Sequence, residues 1–444
     1  MNNILSVVFF LSFINDRIIL PLLPLITVLC GGYFLFATRL LKPSRIKKAV
    51  GALFKRSSCD GISPLAALSV ALAGTLGVGN IVGVAVAISI GGAGAVFWMW
   101  VSAVFSLGLK YAETVLAVRF GKDEGGKRVG GPMYYIFFGA NSKKLSYFFC
   151  ILCIASSLAS GCIIQSNSAS RAVFTYGIPT YVTGGVLAVL CGVIVIGGIK
   201  SISRFTMASI PVMTTVFMAF SLFIIISNVS AVPGVIKNIF SCAFGLDSAS
   251  AGIGGYSIAR AVKHGVAKSA LSHEAGAGTS AISHGASNTK SPAEQGFLGM
   301  FEVFADTVIM CTVTAFVILI AYPDITVSDA YDGIAITNSA YGYFLGDTAH
   351  HIISVCVVFF AFATLICWSY YGVRCIEYIS KNKFFSKLYL FVYCICIFIG
   401  SSVCTEYVWQ LTDFFTCVLI FLNVPVTLKL RKHVIYETEK YYSQ

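Results

Sequence analysis

The chain has 444 residues, of which 57% are hydrophobic and only 11% are charged, and its formal net charge is +12. Soluble domains carry about 25% charged residues, so this composition excludes a soluble multidomain enzyme and a disordered protein. The basic residues flank apolar segments instead of forming one face, which also excludes a nucleic-acid binder. The chain is therefore predicted to be an all-α integral membrane protein.

Apolar stretches long enough to cross a bilayer recur along the whole chain. A hydrocarbon core about 30 Å thick needs about 20 apolar residues per helix, which predicts about 11 transmembrane helices here. The predicted spans are residues 18–40, 63–92, 94–119, 145–172, 180–198, 205–228, 270–290, 297–321, 350–373, 385–402 and 407–428. Residues 1–17 lack the features of a removable signal peptide, so they are predicted to be a short interfacial segment.

The distribution of lysine and arginine predicts the orientation of these spans. If the first span runs from outside to inside, most of the 31 basic residues fall on the cytoplasmic side, in segments that include 39–56, 110–144, 374–387 and the tail 429–444. The N-terminus is then outside and the C-terminus is cytoplasmic, in the plasma (inner) membrane. The basic stretch 247–268 is predicted to be an amphipathic interfacial helix within a loop at 229–269.

Two glycine-rich centres, about 200 residues apart, indicate an internal repeat. They read AGTLGVGN at residues 73–80 and EAGAGTS at residues 274–280. Each centre falls in the first span of a five-helix unit, at 63–228 and at 270–428, and an odd number of spans inverts the second unit relative to the first. The sequence thus predicts a 5+5 inverted repeat preceded by one extra peripheral helix at 18–40, which is typical of secondary transporters.

The glycines predict that the first helix of each repeat is broken. A glycine in a helix interior costs about 0.8–1.0 kcal/mol, and Gly74, Gly77 and Gly79 lie within six residues. Close helix packing through small residues is the alternative. At a break, freed N–H groups attract a carboxylate and freed carbonyls attract Na⁺ or an ammonium group, which suits an amino-acid zwitterion without any buried basic side chain.

Several polar residues lie within predicted spans. Asn80 and Gln165 could contact a substrate or bond between helices, and the sequence leaves both open. Ala361 and Thr364 are three residues apart, so a carbonyl and a hydroxyl would point the same way and offer two oxygen ligands to Na⁺. A hydroxyl bonded to its own helix is the commoner alternative for an isolated threonine.

Acidic residues within the spans are few and are functional hypotheses by default. Glu274 lies at the second break, whereas Glu302 and Asp306 are one turn apart on the next span and could be structural partners of His273 or backbone donors. His273 and Glu274 do not begin a zinc protease motif, because position 277 is alanine and the second histidine is absent. Neither a phosphate-binding loop nor a nucleophile–base pair is recognised, so an enzyme is not expected.

Longer strings occur in a fixed order between residues 64 and 378. They are GTLGVGNIVGVA (74–85), GAVFWMWVSA (94–103), KYAETVLAVRF (110–120), GGPMYYI (130–136), HEAGAGTSAISH (273–284), GMFEVFADT (299–307) and WSYYGVRCIEY (368–378). In these strings the chain resembles the alanine/glycine:cation symporter family, also called sodium:alanine symporters. The resemblance implies a leucine-transporter-like fold and Na⁺-coupled, sometimes H⁺-coupled, uptake of alanine or glycine.

The resemblance also implies site residues. The turns 74–80 and 276–279 would hold the substrate backbone, and Gln165 with Trp368 would line the pocket for its small side chain. The implied substrate residues in the turns are Thr75, Gly77, Gly79, Asn80, Gly276, Gly278 and Thr279. The implied Na⁺ ligands are the carbonyls of Ala73 and Leu76, together with Ala361 and Thr364.

Two departures from the family pattern bear on specificity. Ala277 stands where methionine is usual, which can reshape the pocket, and His273 adds a group that titrates near neutrality. H⁺ coupling, a somewhat different small neutral amino acid and a sensor without translocation are the alternatives. The expected partners are the amino acid and the lipid bilayer, with no nucleic acid, and the monomer is expected to be functional.

Overall fold

The computed structural model of the protein describes residues 11–53, 61–245, 251–323 and 332–443. These ranges are almost entirely helical, as the composition predicts. One short antiparallel hairpin is present, in which β1 (Lys122–Glu124) pairs with β2 (Lys127–Val129).

The helices are numbered here in chain order. The first nine are α1 (Leu11–Ala37), α2 (Pro43–Leu53), α3 (Pro64–Thr75), α4 (Val82–Gly91), α5 (Gly94–Arg119), α6 (Pro132–Tyr134, continued by a π-helix at Tyr135–Gly139), α7 (Lys143–Phe174), α8 (Thr180–Ile196) and α9 (Gly198–Ser227). The remaining nine are α10 (Val232–Phe244), α11 (Ala251–His273), α12 (Ala281–His284), α13 (Pro292–Ala321), α14 (Gly333–Leu345), α15 (Asp347–Ile379), α16 (Lys383–Gly400), α17 (Thr405–Lys429) and α18 (Arg431–Ser443).

Eight of the described helices are long and apolar enough to cross a membrane, and nine if the bent pair α3–α4 forms one span. The eight are α1, α5, α7, α9, α13, α15, α16 and α17. Helix α8 is apolar but has only 17 residues. This is the architecture of a multi-pass membrane protein, whereas the count of 11 spans stays a prediction.

The chain ends differ from the predicted boundaries. Residues 11–17 belong to α1, so a separate interfacial segment at 1–17 is wrong for that part, and residues 1–10 lie outside the described ranges. The predicted tail 429–444 is largely a helix, α18. It packs inward, because Val434 and Thr438 are buried and Thr438 Oγ1 lies 2.8 Å from Tyr111 Oη on α5.

The predicted interfacial helix within 229–269 is wrong. Helix α11 runs without interruption to His273 and packs against α4 and α5, with Ala261, Val266 and Ala267 buried. Its lysines misled the sequence analysis, because Lys268 is buried and its Nζ lies 2.7 Å from Asp413 Oδ2 on α17. The predicted span 270–290 therefore contains only the last turn of this helix, which begins at Ala251.

Close backbone contact attaches α1 to α5. A Cβ added at Gly31 would lie 2.2 Å from the carbonyl oxygen of Phe105, and one added at Gly108 would lie 2.4 Å from that of Gly31. Small residues allow such an approach in lipid, where close packing holds helices together. Elsewhere the surface is apolar, as at Phe223 and Ile226 of α9, which are exposed as a lipid-facing side requires.

Candidate substrate and ion site

The first glycine-rich centre is a helix break, as predicted. Helix α3 ends at Thr75, Gly77 is extended, and a short 3₁₀ turn at Val78–Asn80 leads into α4 at an angle of 58°. Glycine lowers the cost of leaving the helix here because it contributes little to helix stability. The explanation by small-residue packing alone is therefore wrong for this segment.

The second centre is also non-helical, between the end of α11 and the start of α12. Gly276 and Gly278 have φ values of +87° and +80°, a region that glycine enters without steric penalty. Glu274 has φ of +52°, which is uncommon for a residue with a side chain. Such strain persists where the surroundings fix it, and it is frequent at functional sites.

The first break contacts the end of α11, directly before the second break. Asn80 Nδ2 donates to Ser272 Oγ at 3.1 Å, and Ser272 is in the last turn of α11. A Cβ added at Gly79 would lie 3.5 Å from the Cα of Ser272. These contacts bring the first glycine-rich centre next to the end of α11, from which the second centre follows.

Two of the four residues implied as the Na⁺ site, Ala73 and Thr364, meet where α15 crosses the first break. Thr364 Oγ1 lies 2.9 Å from the carbonyl oxygen of Ala73, and a Cβ on Gly77 would lie 2.7 Å from the same hydroxyl. Ala361, one turn earlier on α15, and Leu76 are both buried. Thr364 Oγ1 is also 3.0 Å from the carbonyl oxygen of Phe360, so the bond to its own helix is present as well.

Gln165 lies against the first break from α7. Its Oε1 accepts from the backbone N–H of Val78 at 3.3 Å, and its Nε2 donates to the carbonyl of Ser160 at 3.2 Å. A π-helix at Ala159–Ile163 directly precedes it. Short π segments occur frequently at functional sites, because they shift the side chains that follow.

Trp368 connects the second break to α7. Its Nε1 donates to Glu274 Oε1 at 3.0 Å, and Thr279 Oγ1 donates to Glu274 Oε2 at 2.5 Å. A Cβ added at Gly161 would lie 2.2 Å from the Cβ of Trp368. The carboxylate of Glu274 thus fixes the indole of Trp368, a contact that the sequence analysis did not foresee.

The glycines of the second break face other helices. The N–H of Gly276 donates to Glu113 Oε2 at 3.1 Å, and its carbonyl accepts from Asn423 Nδ2 at 2.9 Å. A Cβ added at Gly278 would lie 2.4 Å from Cγ of Pro132. Side chains of α5 and α17 therefore satisfy part of this unwound backbone.

The sequence analysis did not predict a buried cluster of charged side chains around Lys110. Lys110, predicted to be in a cytoplasmic segment, is fully buried in α5, and its Nζ lies 3.2 Å from Glu302 Oε1, 3.6 Å from Glu113 Oε1 and 2.6 Å from Ser280 Oγ. His284 Nε2 lies 2.9 Å from Glu302 Oε2. The available signal was a lysine and a glutamate three residues apart in an otherwise apolar helix. The sequence analysis assigned no role to a buried basic side chain, whereas Lys110 is one.

Discontinuous helices inside a bundle of apolar helices are typical of one class of protein, the membrane transporter. The profile of the sodium:alanine symporter family matches residues 4–444. The chain belongs to this family, and the resemblance found in the sequence strings is confirmed.

Curated relatives cover nearly the whole chain. A sodium/alanine symporter of Methanococcus maripaludis is 34% identical over 90% of this chain and 88% of its own. An uncharacterized transporter of Bacillus subtilis is 35% identical over 94% and 92%, and a probable sodium/glutamine symporter of that organism is 31% identical over 97% and 90%. These relatives support sodium-dependent amino-acid symport as the general activity, and their names differ in the amino acid.

Proposed function

We propose that the protein is a secondary active symporter, which couples inward movement of Na⁺ to uptake of a small neutral amino acid by alternating access. Alanine and glycine are the proposed substrates. The observation that carries the proposal is the 2.9 Å contact between Thr364 Oγ1 and the Ala73 carbonyl oxygen. It brings two hard oxygen ligands together at the point where a transporter with broken helices holds its coupling ion.

In this proposal the Na⁺ ligands are the carbonyls of Ala73, Leu76 and Ala361 and the hydroxyl of Thr364. Na⁺ prefers oxygen ligands, as hard cations do, and these four atoms come from α3, the first break and α15. The ion would therefore hold the break against α15. Loss of the ion would release this contact, which couples ion binding to the rocking of one helix group against another.

The proposed substrate site lies between the two breaks. Backbone groups of the turns would hold the carboxylate and ammonium groups, and Gln165 with Trp368 would limit the volume for the side chain. The turn residues assigned to the substrate are Thr75, Gly77, Gly79, Asn80, Gly276, Gly278 and Thr279. Gln165 already bonds to the first break and Trp368 to Glu274 at the second, which supports placing the pocket between them.

The proposed architecture is two inverted five-helix units behind α1. The first unit contains α3–α4, α5, α7, α8 and α9, in the predicted interval 63–228. The second contains α11–α12, α13, α15, α16 and α17, so we move its start from residue 270 to the beginning of α11. Both units then open with a broken helix, which supports the assignment. The protein is proposed to act as a monomer in the plasma membrane, with its N-terminus outside.

The driving force is sufficient for accumulation. A membrane potential contributes about 2.3 kcal/mol per charge per 100 mV. A tenfold Na⁺ gradient adds about 1.4 kcal/mol. One Na⁺ per substrate could therefore sustain a gradient of several hundredfold.

Counterflow into proteoliposomes tests the proposal, with alanine, glycine, serine, glutamine and leucine offered with and without a Na⁺ gradient. We expect Na⁺-dependent counterflow of alanine and glycine, and a rate for leucine lower by roughly 10- to 200-fold. Glutamine is included because one relative is named for it and because Ala277 is buried in the second break. Uptake driven by a proton gradient alone, or binding without counterflow, would contradict Na⁺ symport.

A further inference from the structure

We propose that Tyr371 is a cytoplasmic gate, whose ring closes the route between the ion and substrate sites and the cytoplasm where α3, α12 and α15 meet. This inference rests on the proposed function, which places the two sites and the orientation of the chain. It adds the side chain that must move before ion and substrate can leave. Tyr371 itself is not among the proposed Na⁺ or substrate ligands.

Tyr371 lies on the cytoplasmic side of both proposed sites. Along α15, Thr364, Trp368 and Tyr371 follow one another toward the end at Ile379, which the proposed topology places in the cytoplasm. A side chain on a helix leans toward the N-terminus of that helix, so the ring of Tyr371 reaches back over the turn that carries Trp368. The two rings are in edge contact, with centroids 5.6 Å apart and an interplanar angle of 60°. Tyr371 therefore covers the proposed pocket from the cytoplasmic side.

The end of the Tyr371 side chain lies against the backbone of α3, just before the first break. A Cβ added at Gly74 would lie 2.7 Å from the Tyr371 hydroxyl oxygen and 3.4 Å from Cζ and Cε2 of the ring. Gly74 belongs to α3, which begins at Pro64 on the proposed cytoplasmic side. The ring thus fills the space between α15 and the cytoplasmic half of the broken helix, where a residue without a side chain leaves room for it.

The hydroxyl of Tyr371 is buried and has no hydrogen-bond partner among the described residues. Ser283 of α12 lies close to it, but the Ser283 hydroxyl donates to the carbonyl of Ser280 at 2.7 Å. Buried tyrosines usually bond through this group, as Tyr341 and Tyr393 do here. An unpaired polar group in the interior is unfavourable, so the closed position of Tyr371 is less stable than its packing alone would make it.

These contacts describe a side chain with a closed and an open position. In the closed position the ring joins α15 to Gly74 on α3 and lies close to Ser283 on α12. In the proposed topology, α3 and α12 are the cytoplasmic parts of the two broken helices. Movement of these parts away from α15 would free the ring, let water reach its hydroxyl and open the path, as alternating access requires.

Chemical labelling of the proposed ion site tests the gate without reference to transport. Thr364→Cys places a thiol behind Tyr371, and a membrane-impermeant methanethiosulfonate reagent applied to inside-out vesicles would reach it through the gate. Peptide mass spectrometry identifies the labelled position. We expect Tyr371→Ala to raise the labelling rate at position 364 by at least roughly 10-fold, because loss of the buried ring destabilises the closed state. Tyr371→Phe keeps the ring and should leave labelling slow.

The contact at Gly74 gives a sharper test of the same gate. In the Thr364→Cys background, Gly74→Ala should accelerate labelling, because its methyl group would lie 2.7 Å from the Tyr371 hydroxyl and would displace the side chain. Adding Tyr371→Phe should return labelling to the slow rate, since the nearest ring atoms would then lie at 3.4 Å, an ordinary contact. Fast labelling in this double variant would contradict the closed position described here and overturn the gate.

Tyr341→Phe is the matched control. Tyr341 is also fully buried, but it belongs to neither break, and its hydroxyl lies 2.6 Å from Ser221 Oγ on α9. This variant should leave labelling slow, and thermal unfolding with gel filtration verifies that each variant is folded.

Slow labelling in folded Tyr371→Ala would overturn the gate, as would labelling in Tyr371→Phe as fast as in Tyr371→Ala. If the wild type shows no Na⁺-dependent counterflow while Tyr371→Ala accelerates labelling, the gate stands and the proposed function fails. If counterflow is Na⁺-dependent and labelling in Tyr371→Ala stays slow, the proposed function stands and the gate fails.

Discussion

Single atoms decide what the first break can accommodate. A Cβ at Gly77 would meet the hydroxyl of Thr364 at 2.7 Å and the amide oxygen of Gln165 at 3.1 Å, whereas a Cβ at Gly79 would find its nearest neighbour, the Cα of Ser272, at 3.5 Å. The two glycines are separated by a single residue, yet only the first is enclosed by proposed site residues. Their roles can therefore be separated by the smallest possible side chain.

Gly77→Ala should abolish or strongly reduce amino-acid uptake, because its methyl group displaces the hydroxyl and the amide that form the proposed pocket. Gly79→Ala keeps the backbone groups assigned to the substrate and adds a methyl group that makes only an ordinary contact, so it should reduce uptake far less than Gly77→Ala. Initial rates of alanine uptake in proteoliposomes measure both variants. An equal loss of uptake in both variants would contradict this prediction, because it would indicate that the backbone conformation of the turn, and not the contact with Thr364 and Gln165, requires glycine.

Thr364→Ala removes one proposed Na⁺ ligand without adding volume. We expect the Na⁺ concentration for half-maximal uptake to rise by roughly 10- to 100-fold, while expression is unchanged. Titration of alanine uptake against Na⁺ gives this value. An unchanged Na⁺ dependence would remove Thr364 from the ion site and leave its hydroxyl as a bond to Ala73.

Among the elements, those with strong local signals were predictable from the sequence. The break after Thr75 follows from three closely spaced glycines, and the long apolar helices follow from composition. Helix α11 was not predicted as one element because its lysines resemble an interfacial face, whereas Lys268 is neutralised by Asp413 on α17, more than a hundred residues away. Partners so distant in the chain cannot be inferred from local patterns.

The same limit applies to the site. Asn80, Gln165, Ala73 and Thr364 were named from their residue types and the family resemblance, and the structure brings them to the first break. The bond between Trp368 and Glu274 depends on how two distant helices pack, so no spacing in the sequence reveals it.

The cluster around Lys110 should dominate the stability of the contact between α5 and α13. Lys110→Met leaves Glu302 and Glu113 without their buried cation, and breaking such a pair costs about 3–5 kcal/mol. We expect a clearly lower thermal unfolding midpoint in detergent. Adding Glu302→Gln to this variant should recover part of the lost stability, because it removes a carboxylate that has lost its cation. The coupling between Lys110 and Glu302 would be contradicted if the double variant were less stable than Lys110→Met by about a further 3–5 kcal/mol.

At the scale of the whole molecule, the orientation can be tested with a native thiol. Cys404, in the connection between α16 and α17, is the exposed cysteine among the described residues, and the predicted topology places it outside. A membrane-impermeant maleimide should label it in intact cells, and Cys404→Ser should remove that label. Labelling of Cys404 only after the membrane is permeabilised would reverse the orientation.

The glycine contact between α1 and α5 has a mechanical consequence. With Gly31 seated on the carbonyl of Phe105, neither helix can slide along the other without colliding main chains. Helices α1 and α5 are therefore expected to move as one rigid body when the protein changes conformation. Relative movement of helices must then occur at interfaces other than the one between α1 and α5. A probe attached to the lipid-facing side of α1 would therefore report the motion of α5.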